Sequence, residues 1–567
     1  MGLMWLSVGV LAGLSAWILN VLNNKFIVDW KAWTGLISGI FIILFGVAWS
    51  VSSVLEGVPR SGSMGFLLFD GLGLIILVLT WRFNLQHKKK HPPEESQHQG
   101  VIIPENSDLE IDSNSRRNFL GTTVLGALNL RHIIGGIIGL GAGVTGVVAV
   151  KRASGKVLDD VPNAIRDDYR RFDQRGVIQA FAHSPKLQEE KKEWTDTWEQ
   201  AANARTKDFK IQGSYERFVY GNPRDEVGYR QLDYTLARGG WETSLRGIPI
   251  TVAPNHGIQS WDQSQVNETR YKFGSKQEAA DAIKSAAKLY GSDKTGITVH
   301  DERWDYDPLY DPIDEKVVSW NDFPFTPKTV IVCIVEMDYL ALSTAPSIVS
   351  DGPSGQGYSD MVMVSSHLAA FLRHLGYKAV ASGNDLGLSV AYAVAAGLGE
   401  VSRGGWLITP DLGPKVRICK IYTDFDFVEY DKPRDYSITN FCIHCKRCAD
   451  ACPSQAITHE DKPTFGPTFE HSDNPDYNWS SKPGVLKWHS DSKKCYEFWV
   501  ENGGSCSSCI AACPYNKPDF WHHDLVDTTN VITPGPMHTF MKEMDKVFGY
   551  GNVNDPDKVH KFWKSAD

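Results

Sequence analysis

Hydrophobic residues crowd the front of this chain and then give way abruptly. Three stretches, about Leu3–Leu22, Trp33–Leu55 and Met64–Phe83, are almost wholly apolar. Each is long enough to span a bilayer, which takes ~20 residues. The connection between the first two carries Lys25 and Lys31, and the exit carries Arg82 and Lys88-Lys89-Lys90. Basic residues stay on the cytoplasmic side. The pattern therefore predicts an outside N-terminus, an inside first loop, an outside second loop around Glu56–Ser63 and an inside exit. Residues 88–114 form a polar linker, of a composition that does not bury a core. At Ser115-Arg116-Arg117-Asn118-Phe119-Leu120-Gly121 a paired arginine precedes a further apolar segment through Ile133–Val150. That is the layout of a twin-arginine export signal, expected over 115–155. A fourth membrane span after a chance Arg-Arg is the rival reading, and Val147-Val148-Ala149 is only a weak cleavage site.

From 156 onward the pattern is that of a folded domain. Ser275, with Glu278 three residues on, caps a helix to Leu289. An apolar, β-branched strand runs over Thr329–Glu336. A helix is predicted at Ser359–Leu375, and a short strand, Lys378–Ala381, leads into Ser382-Gly383-Asn384-Asp385-Leu386-Gly387. Another helix ends at Ala396-Gly397-Leu398-Gly399, and a strand covers Val416–Tyr422. Alternating strands and helices predict an α/β or α+β core over 156–430. That stretch holds neither Gly-x-Gly-x-x-Gly nor a P-loop lysine, so a nucleotide is not favoured. The 567 residues allow several domains, and the net charge of −9 argues against a nucleic-acid binder.

The candidate chemistry lies further on. Eight of ten cysteines fall into two groups, each ending in Cys-Pro. The first holds Cys442, Cys445, Cys448 and Cys452; the second holds Cys495, Cys506, Cys509 and Cys513. A C-x2-C-x2-C run wraps three thiolates around one iron–sulfur cube, and the cysteine before proline reaches the other cube. The spacing therefore assigns Cys442, Cys445, Cys448 and Cys513 to one [4Fe–4S] cluster. Cys452, Cys495, Cys506 and Cys509 go to the other. Cys495 is the irregular member, since ten residues separate it from Cys506. Disulfides suit small secreted chains, and zinc needs only four ligands. Cys333 and Cys419 sit in apolar runs and read as core. A two-cluster, ferredoxin-like domain is expected over 431–530, with a tail at 531–567.

The cysteine pattern, the arginine pair and the S-G-N-D…A-G-L-G stretch together resemble respiratory reductive dehalogenases over about residues 111–560. Residues 1–87 resemble the small three-span anchor protein that partners these enzymes, including the loop Glu56-Gly57-Val58-Pro59-Arg60. Val58 stands where that family usually has an acid. The resemblance implies a nitroreductase-like core holding a base-off, cobalamin-type corrinoid. The chain lacks the Asp-His-x-x-Gly motif that supplies a lower ligand in other corrinoid proteins. It further implies an organohalide substrate, a quinol- or hydrogenase-linked electron donor, and electrons passing through both clusters to Co(I). Work is expected on the outer face of the cell membrane. The family's proton-donor tyrosine falls on Tyr358, its asparagine on Asn384 and its basic partner on Arg417. Ser382, Gly383, Asn384, Gly397 and Gly399 are the implied corrinoid contacts. A tyrosine at a helix entry is equally an ordinary packing residue, and an asparagine there an ordinary turn former. Three rival functions are an enzyme of the epoxyqueuosine reductase type, a ferredoxin-like carrier without an active site, and a membrane docking protein.

Overall fold

The structure is a computed structural model. It describes residues 2–87, 155–204, 208–211, 221, 223–247, 260–312, 314–469, 479–481, 483–518, 520, 522–523, 525–526 and 535–565. The polar linker and all of the twin-arginine segment up to residue 154 lie outside these. The chain divides into two units, Met1–Lys151 with Val547–Gly549, and Arg152–Lys546 with Tyr550–Asp567.

In the first unit the apolar pattern folds as helices. Trp30–Leu55 opens on Asp29, whose carboxylate accepts the Ala32 N–H at 2.8 Å. The next helical run, Pro59–Asn84, begins five residues before the predicted Met64, because proline at the first helical position is pre-set for the turn. Both runs have 26 residues and are apolar enough to cross a bilayer. The expectation of three spans is met in two of them. The first helix, Gly2–Lys25, contributes only the shorter apolar stretch Val8–Asn23. Within Pro59–Asn84 the turn Phe66–Asp70 is a π-helix, and Asp70 is buried against Gly46 of the neighbouring helix.

The second unit is built on a four-stranded sheet in the order Lys294–Val299, Thr329–Glu336, Val416–Thr423, Ala379–Ser382. Every pairing is antiparallel, so the core is α+β rather than a parallel α/β sheet. Thr329–Glu336 holds a central position because it is apolar on both faces. Val330, Val332 and Ile334 enter one core, and Ile331, Cys333 and Val335 enter the other. Cys333 and Cys419 face each other in register, fully buried, as core residues. Ser275 caps the helix Lys276–Leu289 as predicted, accepting the Glu278 N–H at 3.1 Å.

One helix starts elsewhere than expected. It runs from Asp351 to His374, eight residues ahead of the predicted Ser359. Gly352, Pro353, Gly355 and Gly357 read as a loop by propensity. Here their bareness serves packing. A Cβ on Gly355 would lie 2.5 Å from the Trp241 ring, and one on Gly357 would lie 2.8 Å from Arg417 Cγ. The helix Gln231–Gly247 and the strand Val416–Thr423 thus press close to this segment. Tyr358 consequently sits two turns inside the helix. A helix dipole fades within the first turn and so does not reach it.

Candidate active site

Tyr358, Asn384 and Arg417 come from a helix, a loop and a strand, and meet on the wall of one cavity of about 450 Å³. Asn384 Nδ2 donates to the Tyr358 hydroxyl at 3.0 Å. The Arg417 guanidinium lies over the Tyr358 ring, 4.5 Å from its centroid. Trp241 stacks on the same ring, with centroids 5.1 Å apart and planes 22° from parallel. Arg417 Nε is buried with no acceptor among the described residues. Trp241 is in turn fixed by Asp351, whose Oδ2 accepts its indole N–H at 3.1 Å. Burial raises the Asp351 carboxyl above the usual range.

The rest of the wall is mainly aromatic and aliphatic, including Phe172, Trp304, Tyr306 and Trp499. Burial drives the Tyr306 phenol well above its ordinary value. Amides and hydroxyls interrupt this surface at Asn163, Gln174, Gln179 and Ser389. The volume lies in the range of ligand sites, and the mix of apolar walls with a few polar groups is that of a cofactor pocket. Those features suit a large, amide-fringed ring such as a corrinoid.

The Ser382–Ser389 loop is held from below by Lys420. Its buried ammonium donates to the Gly383 carbonyl at 2.5 Å and to Ser389 Oγ at 2.7 Å. Burial pushes Lys420 down to about 8 and Asp385 up to about 6, each shift opposed by the other's charge. Ser382 turns inward, donating to the Asp385 carbonyl at 2.9 Å. Of the five expected corrinoid contacts, only Asn384 lines the cavity. Gly397 and Gly399 answer to packing instead. A Cβ on either would strike a carbonyl, that of Lys432 or of Ile408, and Gly397 has φ +69°.

The eight motif cysteines are all free. Cys442, Cys445, Cys448 and Cys513 surround one small void. Burial raises the Cys448 thiol, and Cys442, Cys445, Cys513 and Cys509 add to it. The Cys495 thiol is raised by burial, then by Cys506 and Cys452, and Cys509 by burial, then by Cys506, Cys495 and Cys452. Cys513 thus lies with the first motif's cysteines, and Cys452 with those of the second. Among the described residues no three cysteine sulfurs lie mutually within 4.8 Å. A single zinc ion would need that spacing, with Zn–S about 2.3 Å.

Known proteins give the same picture. Residues 3–88 match the family described as chloroethene reductive dehalogenase membrane anchor protein, and 441–517 match the 4Fe-4S dicluster domain. A tetrachloroethene reductive dehalogenase of Desulfitobacterium hafniense strain Y51 is 36% identical over 419 residues, covering 60% of this chain and 74% of that protein. The chain belongs to the reductive dehalogenase family. A second D. hafniense tetrachloroethene reductive dehalogenase is 39% identical over 418 residues, again covering 60% and 74%. This family member is a corrinoid- and iron–sulfur-dependent oxidoreductase by class, with an anchor-like region at its N-terminus. Its fold also follows the solved catabolic reductive dehalogenase NpRdhA, with a TM-score of 0.51 at 20% identity over 72% of this chain. It spans about half the length of that solved chain, 50%.

Trp241 and Lys420 were absent from the sequence-derived site. Nothing in the sequence pairs a tryptophan on one helix with a tyrosine on another. Lys420 carried one usable signal, a charge inside an otherwise buried strand.

Proposed function

We propose that this chain replaces halogen by hydrogen on a small organohalide, as the last step of an anaerobic respiratory chain. The balance is R–X + H⁺ + 2 e⁻ → R–H + X⁻. The observation that carries the reading is the Tyr358–Asn384–Arg417 contact set on a largely apolar cavity wall. Asn384 donates to the Tyr358 oxygen, which leaves the phenol's own hydrogen free to point at a substrate. Tyr358 gives that proton to carbon. Arg417 stabilises the phenolate left behind through its planar, delocalised cation. Trp241 holds the ring in place and keeps water off its face.

A corrinoid in this cavity, when bound, supplies the electron pair that breaks the carbon–halogen bond. Asn163, Gln174, Gln179 and Ser389 are the groups available to its amide fringe. The ligands of one [4Fe–4S] cluster are Cys442, Cys445, Cys448 and Cys513, and of the other Cys452, Cys495, Cys506 and Cys509. The second quartet adjoins the cavity through Ser505 and Tyr496, chain neighbours of Cys506 and Cys495. We assign 1–87 to the anchor, with Gly2–Lys25 as a third span. The linker is 88–114, the export signal 115–155, the catalytic domain 156–430, the cluster domain 431–530 and the tail 531–567. The catalytic part works on the outer face of the membrane and draws on a quinol- or hydrogenase-linked donor.

Anaerobic purification with cobalt and iron analysis tests this first. About one cobalt per eight irons is expected from one corrinoid and two cubes; iron without cobalt leaves an electron carrier. Activity with a reduced dye is then read on tetrachloroethene, trichloroethene, chlorinated ethanes and chlorinated aromatics. A Tyr358→Phe variant that keeps full turnover ends the proton-donor assignment.

A further inference from the structure

The two cysteine quartets sit in unlike electric fields. Beside the first lies Arg403, which is fully buried. Its Nη2 donates to the Cys442 carbonyl at 2.8 Å, and its Nη1 to the carbonyls of Thr458 at 3.1 Å and Glu460 at 2.5 Å. The guanidinium also lies 4.7 Å from the centroid of the Trp488 ring. It shares the small void with all four cysteines of the quartet. Every partner is a neutral dipole, and among the described residues no carboxylate stands within ion-pair distance of it. The one carboxylate its field reaches, Asp461, is solvent-exposed, and a buried cation so weakly compensated is costly. The anion in this pocket would be the thiolate-bound cluster itself.

Other charges point the same way. Arg447 and Lys517 share one carboxylate, Asp545, and so leave a positive excess. The fields of Arg447 and Lys542 reach Cys445, opposed by that of Asp545, and the field of Lys517 reaches Cys513. Glu400 opposes them at Cys442, and its carboxylate accepts the Thr439 N–H at 2.9 Å. At the second quartet the charged side chain facing Cys495 is an anion, Asp491, which is buried. Lys494 reaches only the edge of Asp491, at 4.0 Å. Two neutral contacts favour the second quartet: Ser508 Oγ lies 3.1 Å from Cys506 Sγ, and the Ala456 N–H donates to Cys452 Sγ at 3.3 Å. Full charges at low dielectric outweigh such dipoles.

Cluster potentials follow net local charge, sulfur hydrogen bonds and exposure. We infer that the Cys442–Cys445–Cys448–Cys513 cluster is the higher-potential one, and that Arg403 sets much of the gap. This rests on the reading that both quartets hold clusters. Arg403 is a positioning residue for charge and touches no substrate. Electrons would rest on the first cluster and pass to the second, beside the cavity, against a potential step.

The test is an anaerobic redox titration of the full, loaded protein, followed by electron paramagnetic resonance. Two one-electron waves are expected. Arg403→Met should move the higher wave negative by a tenfold change in its reduction equilibrium or more, about 59 mV, and leave the lower wave in place. Arg403→Lys, which keeps the charge, should move it far less. Asp491→Asn keeps the helix cap and should move only the lower wave, to more positive potential. The inference falls if Arg403→Met moves the lower wave or neither, or if Asp491→Asn moves the higher one. Should Arg403→Met fail to load iron, the Asp491→Asn and Arg403→Lys results decide alone. Wild-type protein without iron would instead sink the cluster reading itself.

Discussion

Replacing Arg417 by methionine removes a charge and little volume. The guanidinium lies 4.5 Å from the centre of the Tyr358 ring. A full phenolate charge at that distance interacts with it by about 3.7 kcal/mol at an effective dielectric of about 20. Half-developed charge in the transition state halves that figure. At 1.36 kcal/mol per tenfold, kcat should fall by between about 20-fold and about 500-fold. KM should hold, because the charge acts on the Tyr358 phenolate that forms only in the reaction. Arg417→Lys should recover part of the loss, since an ammonium keeps charge without the flat stacking surface. The assay is dye-linked halide release at saturating substrate, with cobalt and iron matched to wild type. Arg417→Met protein that retains more than half the wild-type kcat refutes the reasoning, because no phenolate would then be forming beside that side chain.

Asn384→Asp replaces the donor at 3.0 Å with a competing acceptor for the Tyr358 proton; kcat should drop about tenfold, the worth of one hydrogen bond of ~1.5 kcal/mol. Gly357→Ala sets a methyl 2.8 Å from Arg417 Cγ and should lower turnover and cost ~1–3 kcal/mol in chemical melts. Burial, then Lys487, hold the His489 imidazole down to about 3, against an ordinary 6.5. The unfolded chain therefore takes up this proton first. The stabilisation is whole above about pH 6.5 and is lost as pH falls toward 3, and His489→Gln should flatten that part of a melting-temperature profile. Cys495→Ser should remove about half of the iron, and full iron would return Cys495 to an ordinary helix residue.

Parts of this molecule were legible before any fold was known, for definite reasons. Thr329–Glu336 announced itself because a strand buried on both faces must be apolar throughout. The iron–sulfur domain did so because cluster ligation fixes cysteine spacing. The start of the Tyr358 helix was hidden, because glycines at 352, 355 and 357 lower helix propensity while their packing against Trp241 and Arg417 is invisible in one dimension. The strand Lys294–Val299 was missed because its six residues mix lysine, threonine and glycine with only two apolar side chains. The antiparallel order of the sheet follows from pairings far apart in the chain. Tyr358, Asn384 and Arg417 were found only through a family likeness; their separation along the chain gives no hint that they touch.

The proposed swap of Cys452 and Cys513 between quartets has a consequence for biosynthesis. Each group borrows its last member from the opposite end of a seventy-odd-residue stretch. On that assignment the first quartet closes only once Cys513 is made and the second only once Cys509 is made, so metal insertion waits for a nearly finished segment. Maturation then resembles fastening two interlocked buckles, in which a nascent chain stalled halfway holds no complete seat for either cube.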